Sequence, residues 1–235
     1  MEDFEDDLDL TIYADEVELC HEVTSQAIDA IQLGLLANGT FHLALTGGTL
    51  GLTLTEKMLE QWNTQPDQFV GLHLWWSDER FVESTSTERN ALSIRNHLTN
   101  KNIVVHESLG SDQVPTLEEA VSNYAKATDG VVMDLIILGV GPDGHVASLF
   151  PKQWDENETR SIIAVIDSPK PPLQRISFSM AFINSADEVW IVVAGASKGA
   201  AVAAIVEEDR AIPASHVHGV NLTRLIADTE AFLAE

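Results

Sequence analysis

Along this chain, short apolar runs of four to eight residues alternate with longer stretches whose apolar positions repeat at helical spacing. Leu10 to Tyr13 predicts a short strand, and Glu16 to Leu36 predicts a helix that "ANGT" stops. Phe41 to Leu45 is again strand-like; Gly47-Gly48 breaks it, and a helix follows to about Trp62. Val70 to Val82 reads as a strand running into charge, followed by a helix over Thr87 to Leu98 and a short strand at Ile103 to Val105. Pro115 to Ala127 predicts a helix. Leu135 to Leu138 predicts a strand buried on both faces, left through the flexible Gly139, Gly141 and Gly144. Further strands are expected at Ile162 to Ile166, Arg175 to Phe178 and Glu188 to Gly195, the last leading into a helix through Ile205.

Strands alternating with helices at this spacing imply an α/β fold: a mostly parallel sheet with helices on both faces. No internal repeat is visible. The proline cluster "SPKPPLQR", Ser168 to Arg175, could link two domains, but strands resume at once and the remainder is short for a second core, so a rigid loop over the site is expected. The organisation expected is an acidic, frayed tail over residues 1–9 and a single domain over residues 10–235.

Composition narrows the partners. With 37 acidic against 13 basic residues and a formal charge of -24, the surface repels nucleic acid and anionic membranes almost everywhere. An anionic small molecule could be held only where a few cations or helix N-termini gather. Cys20 is the single cysteine, so no intrachain disulfide can form, and a reducing compartment, the cytoplasm, is expected. The start "MEDFEDDLDL" lacks the basic and apolar regions of a signal peptide, and no run approaches the ~18 apolar residues of a membrane span.

Four strand exits carry chemistry: "TGGT" at Thr46 to Thr49, "SDER" at Ser77 to Arg80, "GPDGH" at Gly141 to His145 and "GASK" at Gly195 to Lys198. In a parallel sheet the C-terminal strand ends share one edge, so these loops can converge although they are far apart in sequence. Gly47, Gly48 and Thr49 open a helix with small residues, which suits an approaching phosphate, but they lack a Walker lysine and the full dinucleotide fingerprint; ATP and NAD are disfavoured. Arg80 could grip phosphate with its planar fork or only pair with Asp78 or Glu79; Lys198 could be a point charge at the site or an exposed helical lysine. His145 with Asp143 fits a general base and its orienting carboxylate, though Asp143 could instead cap the glycine turn. No G-x-S-x-G elbow supports Ser148 as a nucleophile, and its place suits a helix start. His42, His73, His97 and His106 are scattered, and His216 with His218 lacks a third ligand, so metal binding is not expected.

The segments "LALTGGTLG", "WWSDERFV" with Asn90 downstream, "LGVGPDGHVASLFP", "SPKPP" followed by "RISFSM", "VAGASKGAAV" and "IPAS" together resemble the 6-phosphogluconolactonase family, in order and across most of the chain. The most specific is "GPDGHVASLFP". Thr49-Leu50-Gly51 departs from the family's common Ser-Thr-Pro, and Val146 from its common Thr. The resemblance implies a Rossmann-like fold related to glucosamine-6-phosphate deaminase and ribose-5-phosphate isomerase, and hydrolysis of 6-phospho-D-glucono-1,5-lactone without a cofactor. It implies that His145 is the base and that Asp143 orients it. It places Arg80, Lys198 and the Gly47-Gly48-Thr49 backbone at the substrate phosphate, Asp78 at sugar hydroxyls or bracing Arg80, and Lys170 and Arg175 as further substrate contacts. The partner implied is a sugar-phosphate lactone; no protein partner is indicated. Two other readings are a related sugar-phosphate deaminase or isomerase, against which Ala147-Ser148-Leu149-Phe150 offers no acidic residue, and a sugar-phosphate sensor without turnover.

Overall fold

The computed structural model describes residues 8–234. In chain order its elements are β1 (Asp9–Tyr13), α1 (Glu16–Asn38), β2 (Phe41–Leu45), α2 (Gly48–Thr64), β3 (Leu72–Trp76), β4 (Asp78–Arg80), α3 (Ala91–His97), β5 (Val104–Val105), α4 (Leu117–Ala127), β6 (Leu135–Gly139), β7 (Ile162–Val165), β8 (Arg175–Phe178), α5 (Met180–Ile183), β9 (Glu188–Val193), α6 (Gly199–Val206), β10 (Leu222–Asp228) and α7 (Thr229–Leu233). Most of the expected tail, residues 1–7, lies outside the described residues, and Asp9 already pairs in β1.

Local chemistry sets the helix ends. Asp15 accepts the Glu18 N–H at 2.9 Å while Glu18 reaches back to the Ala14 N–H at 2.8 Å, a reciprocal cap for α1. Thr116 caps α4 through the Glu119 N–H. The Pro115 to Ala127 helix therefore begins at Leu117, and the Thr87 to Leu98 helix, which has no side-chain cap of its own, begins at Ala91.

Seven strands form one sheet in the order β1-β10-β9-β6-β2-β3-β5, every pairing parallel. Helices cover both faces, and alternate strand residues serve them. Leu135, Ile137, Trp190 and Val192 pack with α1, α2 and α3, whereas Ile136, Leu138, Val189 and Ile191 pack with α4, α5, α6 and α7. From β2 the chain builds outward through β3 and β5, then returns to build the other way from β6 through β9 and β10. The order thus reverses between β2 and β6, which opens a crevice at their C-terminal ends.

Three features depart from the pattern-based expectation. The run Val70 to Val82 is not one strand: β3 stops at Trp76, Ser77 turns the chain out of the sheet, and β4 pairs antiparallel with β8, which in turn pairs with β7. The strands at Ile162 and Arg175 therefore belong to a second, three-stranded sheet beside the crevice rather than to the main one. Ser148 does not start a helix either, because Val146 bridges Val140 and Leu149 in a tight loop. Finally, β10 and α7 were not anticipated from the apolar pattern, yet β10 lies inside the sheet between β1 and β9.

Candidate active site

The crevice is a cleft of about 370 Å³, and Gly47, Gly48, Thr49, Asp78, Arg80, His145, Lys170, Arg175 and Lys198 all line it. Asp143 reaches it through His145. The four strand exits do converge.

At the reversal point Thr46 Oγ1 accepts the Gly139 N–H at 3.2 Å, tying the exit of β2 to that of β6. Gly47 supplies no side-chain cap to α2, so the first amides of this 17-residue helix are left without an intrahelical or capping partner beside the cleft. A side chain at Gly47 would have to displace Asn90, since its Cβ would fall 2.3 Å from Asn90 Oδ1. Gly51, in the first turn of α2, has no room for a side chain either: a Cβ there would meet the Thr46 carbonyl at 2.4 Å.

The loop after β6 is shaped around His145. The Gly141 N–H donates to the His145 carbonyl and the Gly144 N–H to the Gly141 carbonyl, both at 2.9 Å, closing a turn in which Gly144 takes a φ of 79°. Ile212 packs on Gly144, and the Ala214 N–H donates to the Gly144 carbonyl at 3.0 Å, so the "IPAS" segment braces the turn from behind. Within it His145 Nδ1 meets Asp143 Oδ1 at 2.5 Å, while the ring rests on Phe150 at 4.6 Å between centroids. That bond settles the tautomer: Nδ1 carries the proton toward the carboxylate, and Nε2 keeps a lone pair. Burial holds the His145 imidazole below its ordinary value, Asp143 opposes this and Lys170 adds to it. For Asp143, burial works upward, but the bond and charge of His145 outweigh it and the carboxyl lies below its usual range.

The cations differ in how they are held. Lys198 is not an exposed helical lysine: its Nζ donates to the Val140 carbonyl at 2.7 Å, and burial lowers its pKa, helped by the like charge of Lys170. Arg80 makes no ion pair with Asp78 or Glu79 among the described residues; its Nη1 donates to the Glu88 carbonyl at 2.6 Å, and its buried Nε has no partner. Arg175 is turned inward, donating to the carbonyls of Pro172 at 3.1 Å, Lys170 at 2.9 Å and Pro171 at 3.4 Å, with Asp78 3.5 Å away. Asp78 is itself engaged: Oδ2 accepts from Ser148 Oγ at 2.6 Å, and Asn90 Nδ2 donates to its carbonyl at 2.9 Å. Arg175 and Asp78 thus join three walls of the cleft more than they present free groups to it.

Ser148, Asn90 and Glu79 take part in this framework although the sequence offered them no such role. The signal available was weak: a small polar residue inside "HVASLF" and an acid inside "SDER".

Three of the four histidines expected to be scattered are gathered, while His97 stays apart on α3 with its ring at the Ser93 carbonyl. His42, His73 and His106 come together beside Trp75, with His73 Nδ1 2.9 Å from His106 Nε2 and Trp75 stacked on His106 at 3.7 Å. Trp75 Nε1 donates to His42 Nδ1 at 3.1 Å. None of these four residues lines the cleft. Among the described residues, no group of three or more His, Cys, Asp or Glu is arranged to hold a metal ion. Nor is any helix there long and apolar enough to cross a membrane.

Comparisons with known proteins bear on the family and the fold. The 6-phosphogluconolactonase of Mycobacterium tuberculosis is 30% identical over 94% of this chain and 96% of its own length. The crystal structure of 6-phosphogluconolactonase from Thermotoga maritima superposes with a TM-score of 0.80 at 25% identity, over 94% of this chain and 100% of that one. A monomeric glucosamine-6-phosphate deaminase superposes as well, with a TM-score of 0.80, but at 17% identity over 95% and 98% of the two chains it speaks for the fold alone. The family model described as glucosamine-6-phosphate isomerases/6-phosphogluconolactonase matches residues 14–226. With a cleft at the sheet's reversal point, a paired Asp143 and His145, and these matches over nearly its whole length, the chain belongs to the glucosamine-6-phosphate isomerase/6-phosphogluconolactonase family.

Proposed function

We propose that this protein is a 6-phosphogluconolactonase, hydrolysing 6-phospho-D-glucono-1,5-lactone to 6-phospho-D-gluconate. The observation that carries the reading is the Asp143–His145 pair, which leaves a lone pair on Nε2 in a cleft that also holds Lys198, Lys170 and Arg80.

His145 Nε2 takes a proton from a water as its oxygen attacks C1 of the lactone. The carbonyl π pair moves onto oxygen, giving a tetrahedral oxyanion in a cleft that Lys198 and Lys170 make locally positive. On collapse the C1–ring-oxygen bond breaks, and the imidazolium returns the proton to the leaving alkoxide. The product is the open-chain acid, ionised at neutral pH. Asp143 stabilises the transient imidazolium and keeps Nε2 as the acceptor. Arg80 and the open amides of α2 suit the 6-phosphate at the far end of the sugar. The lactone is an activated ester, so proton transfer is the chemistry the side chains must supply.

The deaminase reading shares the fold, so the choice rests on the loop after His145. Ala147-Ser148-Leu149-Phe150 holds no carboxylate for proton transfer at carbon. The decisive experiment follows acid release from freshly made phosphorylated and unphosphorylated gluconolactone, with the spontaneous rate subtracted, beside ammonia release from glucosamine 6-phosphate. A large preference for the phosphorylated lactone and no ammonia are expected. Equal kcat/KM for the two lactones, or ammonia release, overturns the assignment.

A further inference from the structure

Glu79 sits between two candidate site residues and is 2% exposed. A carboxylate so deep needs several partners to offset the loss of water. Its partners offset burial in part, though burial still pushes the carboxyl above its ordinary value: Oε1 accepts the Arg80 and Asn90 N–H groups, each at 2.8 Å, Oε2 accepts the Ala91 N–H at 2.9 Å, and Arg89 Nε stands 3.8 Å away. These bonds fasten β4 to the start of α3, a helix that has no side-chain cap of its own. Arg89 is anchored in turn by its bond to the Ser108 carbonyl at 2.6 Å.

Two parts of the cleft depend on that fastening. The Arg80 guanidinium is steered by the Glu88 carbonyl, which precedes the segment Glu79 holds. The Asn90 side chain lies against Gly47, where its Oδ1 fills the space a Cβ would take, and its amide donates to the Asp78 carbonyl. One buried carboxylate therefore sets both the fork of Arg80 and the backing of the glycine turn.

We propose that Glu79 is a positioning residue for the phosphate end of the substrate, acting through Arg80 and through Asn90 against Gly47. The inference rests on the lactonase reading and deepens it. Glu79 touches no substrate atom, so its loss weakens recognition of the phosphate and leaves the chemistry at His145 in place.

The test measures kcat and KM for both lactones with Glu79→Gln, together with calorimetric affinity for 6-phosphogluconate and for gluconate. The amide side chain keeps the shape but offers one acceptor oxygen where the carboxylate has two. KM for the phosphorylated lactone should rise about tenfold with kcat within about threefold, and kcat/KM for the unphosphorylated lactone should not change. In an Arg80→Gln background most of the effect should vanish, because the two residues act as a unit. Glu79→Asp, which keeps the charge but shortens its reach to the Asn90 and Ala91 N–H groups, should reproduce the split and serves if Glu79→Gln does not fold. Wild-type behaviour, or an equal loss for both lactones, in the folded variant overturns the inference. Wild-type protein that binds 6-phosphogluconate far more tightly than gluconate but turns over neither lactone overturns the activity alone, and the affinities of the variants then decide the positioning role.

Discussion

Arg175 donates through Nη2 to the carbonyl of Lys170 at 2.9 Å, so a cation buried beneath the cleft holds the backbone of a cation at its rim. The same guanidinium takes the carbonyls of Pro171 and Pro172. That guanidinium itself lies over the Phe150 ring at 5.8 Å, and the Lys170 charge is felt at Asp143, His145 and Lys198.

Lys170 should accordingly tune the acid limb of the pH profile. His145 works as a neutral base, its pKa is held low first by burial, and the positive charge of Lys170 lowers it further against the pull of Asp143. Lys170→Met removes a like charge, so the kinetic pKa on the acid side of kcat/KM should rise, and activity should be lost at a higher pH than in wild type. A limb that stays in place or moves down shows that the charge is screened from the imidazole.

His145→Asn keeps a polar side chain but cannot carry the proton. We expect kcat to fall by ~10²–10⁴-fold, the usual contribution of general acid–base catalysis, with the fold unchanged by circular dichroism and affinity for 6-phosphogluconate largely kept. Retained turnover in the folded variant would mean that another group activates the water.

Gly141→Ala should do nearly as much harm without touching either member of the pair. A Cβ built there falls 2.0 Å from His145 Nδ1 and 2.5 Å from Asp143 Oδ1, so the two side chains cannot keep their contact. Steady-state kinetics should show a kcat loss of at least about tenfold. Unimpaired kcat would show that the dyad geometry is not needed.

Arg80→Lys conserves charge but not the fork that spans the Glu88 carbonyl and the cleft. The expected loss in kcat/KM for the phosphorylated lactone is at least about tenfold, or ~1.4 kcal/mol. A variant indistinguishable from wild type would assign Arg80 to the framework alone.

The His42, His73 and His106 cluster should make the fold acid-sensitive. Burial lowers all three, His106 to about 4 from a model-compound value of 6.5, and neighbouring histidines add to the effect at His42 and His106. Because the unfolded chain takes up these protons first, the stability is full above about pH 6.5 and is lost as pH falls below it, down to about 4 for His106. Relative to wild type, His106→Gln should flatten the fall in urea-unfolding free energy between pH 7.5 and pH 5, by up to about 2 kcal/mol. Parallel curves for the two proteins would show that the cluster takes up its protons without strain.

What the sequence determined by itself is whatever depends on local periodicity and on the residues at strand ends. The run Leu135 to Leu138 can only be a strand covered on both faces, and the glycines after it can only be an exit. Four such exits in an alternating chain point to one edge of one sheet, so most of the cleft's residues were legible. Tertiary structure decided the rest, because polar groups report their partners and not their own pattern. Arg224 interrupts the apolar run of β10 and hides it, yet in the fold its charge is met by Asp9 and Gln26 and its guanidinium lies over Trp190, so the strand is buried in the sheet. Ser77 ends β3 because β8 stands ready to pair with β4, a partner almost a hundred residues away. For the same reason the bracing role of Arg175 was not legible: it lines the cleft, but its donors go where buried acceptors lie, and those are the carbonyls of its own loop.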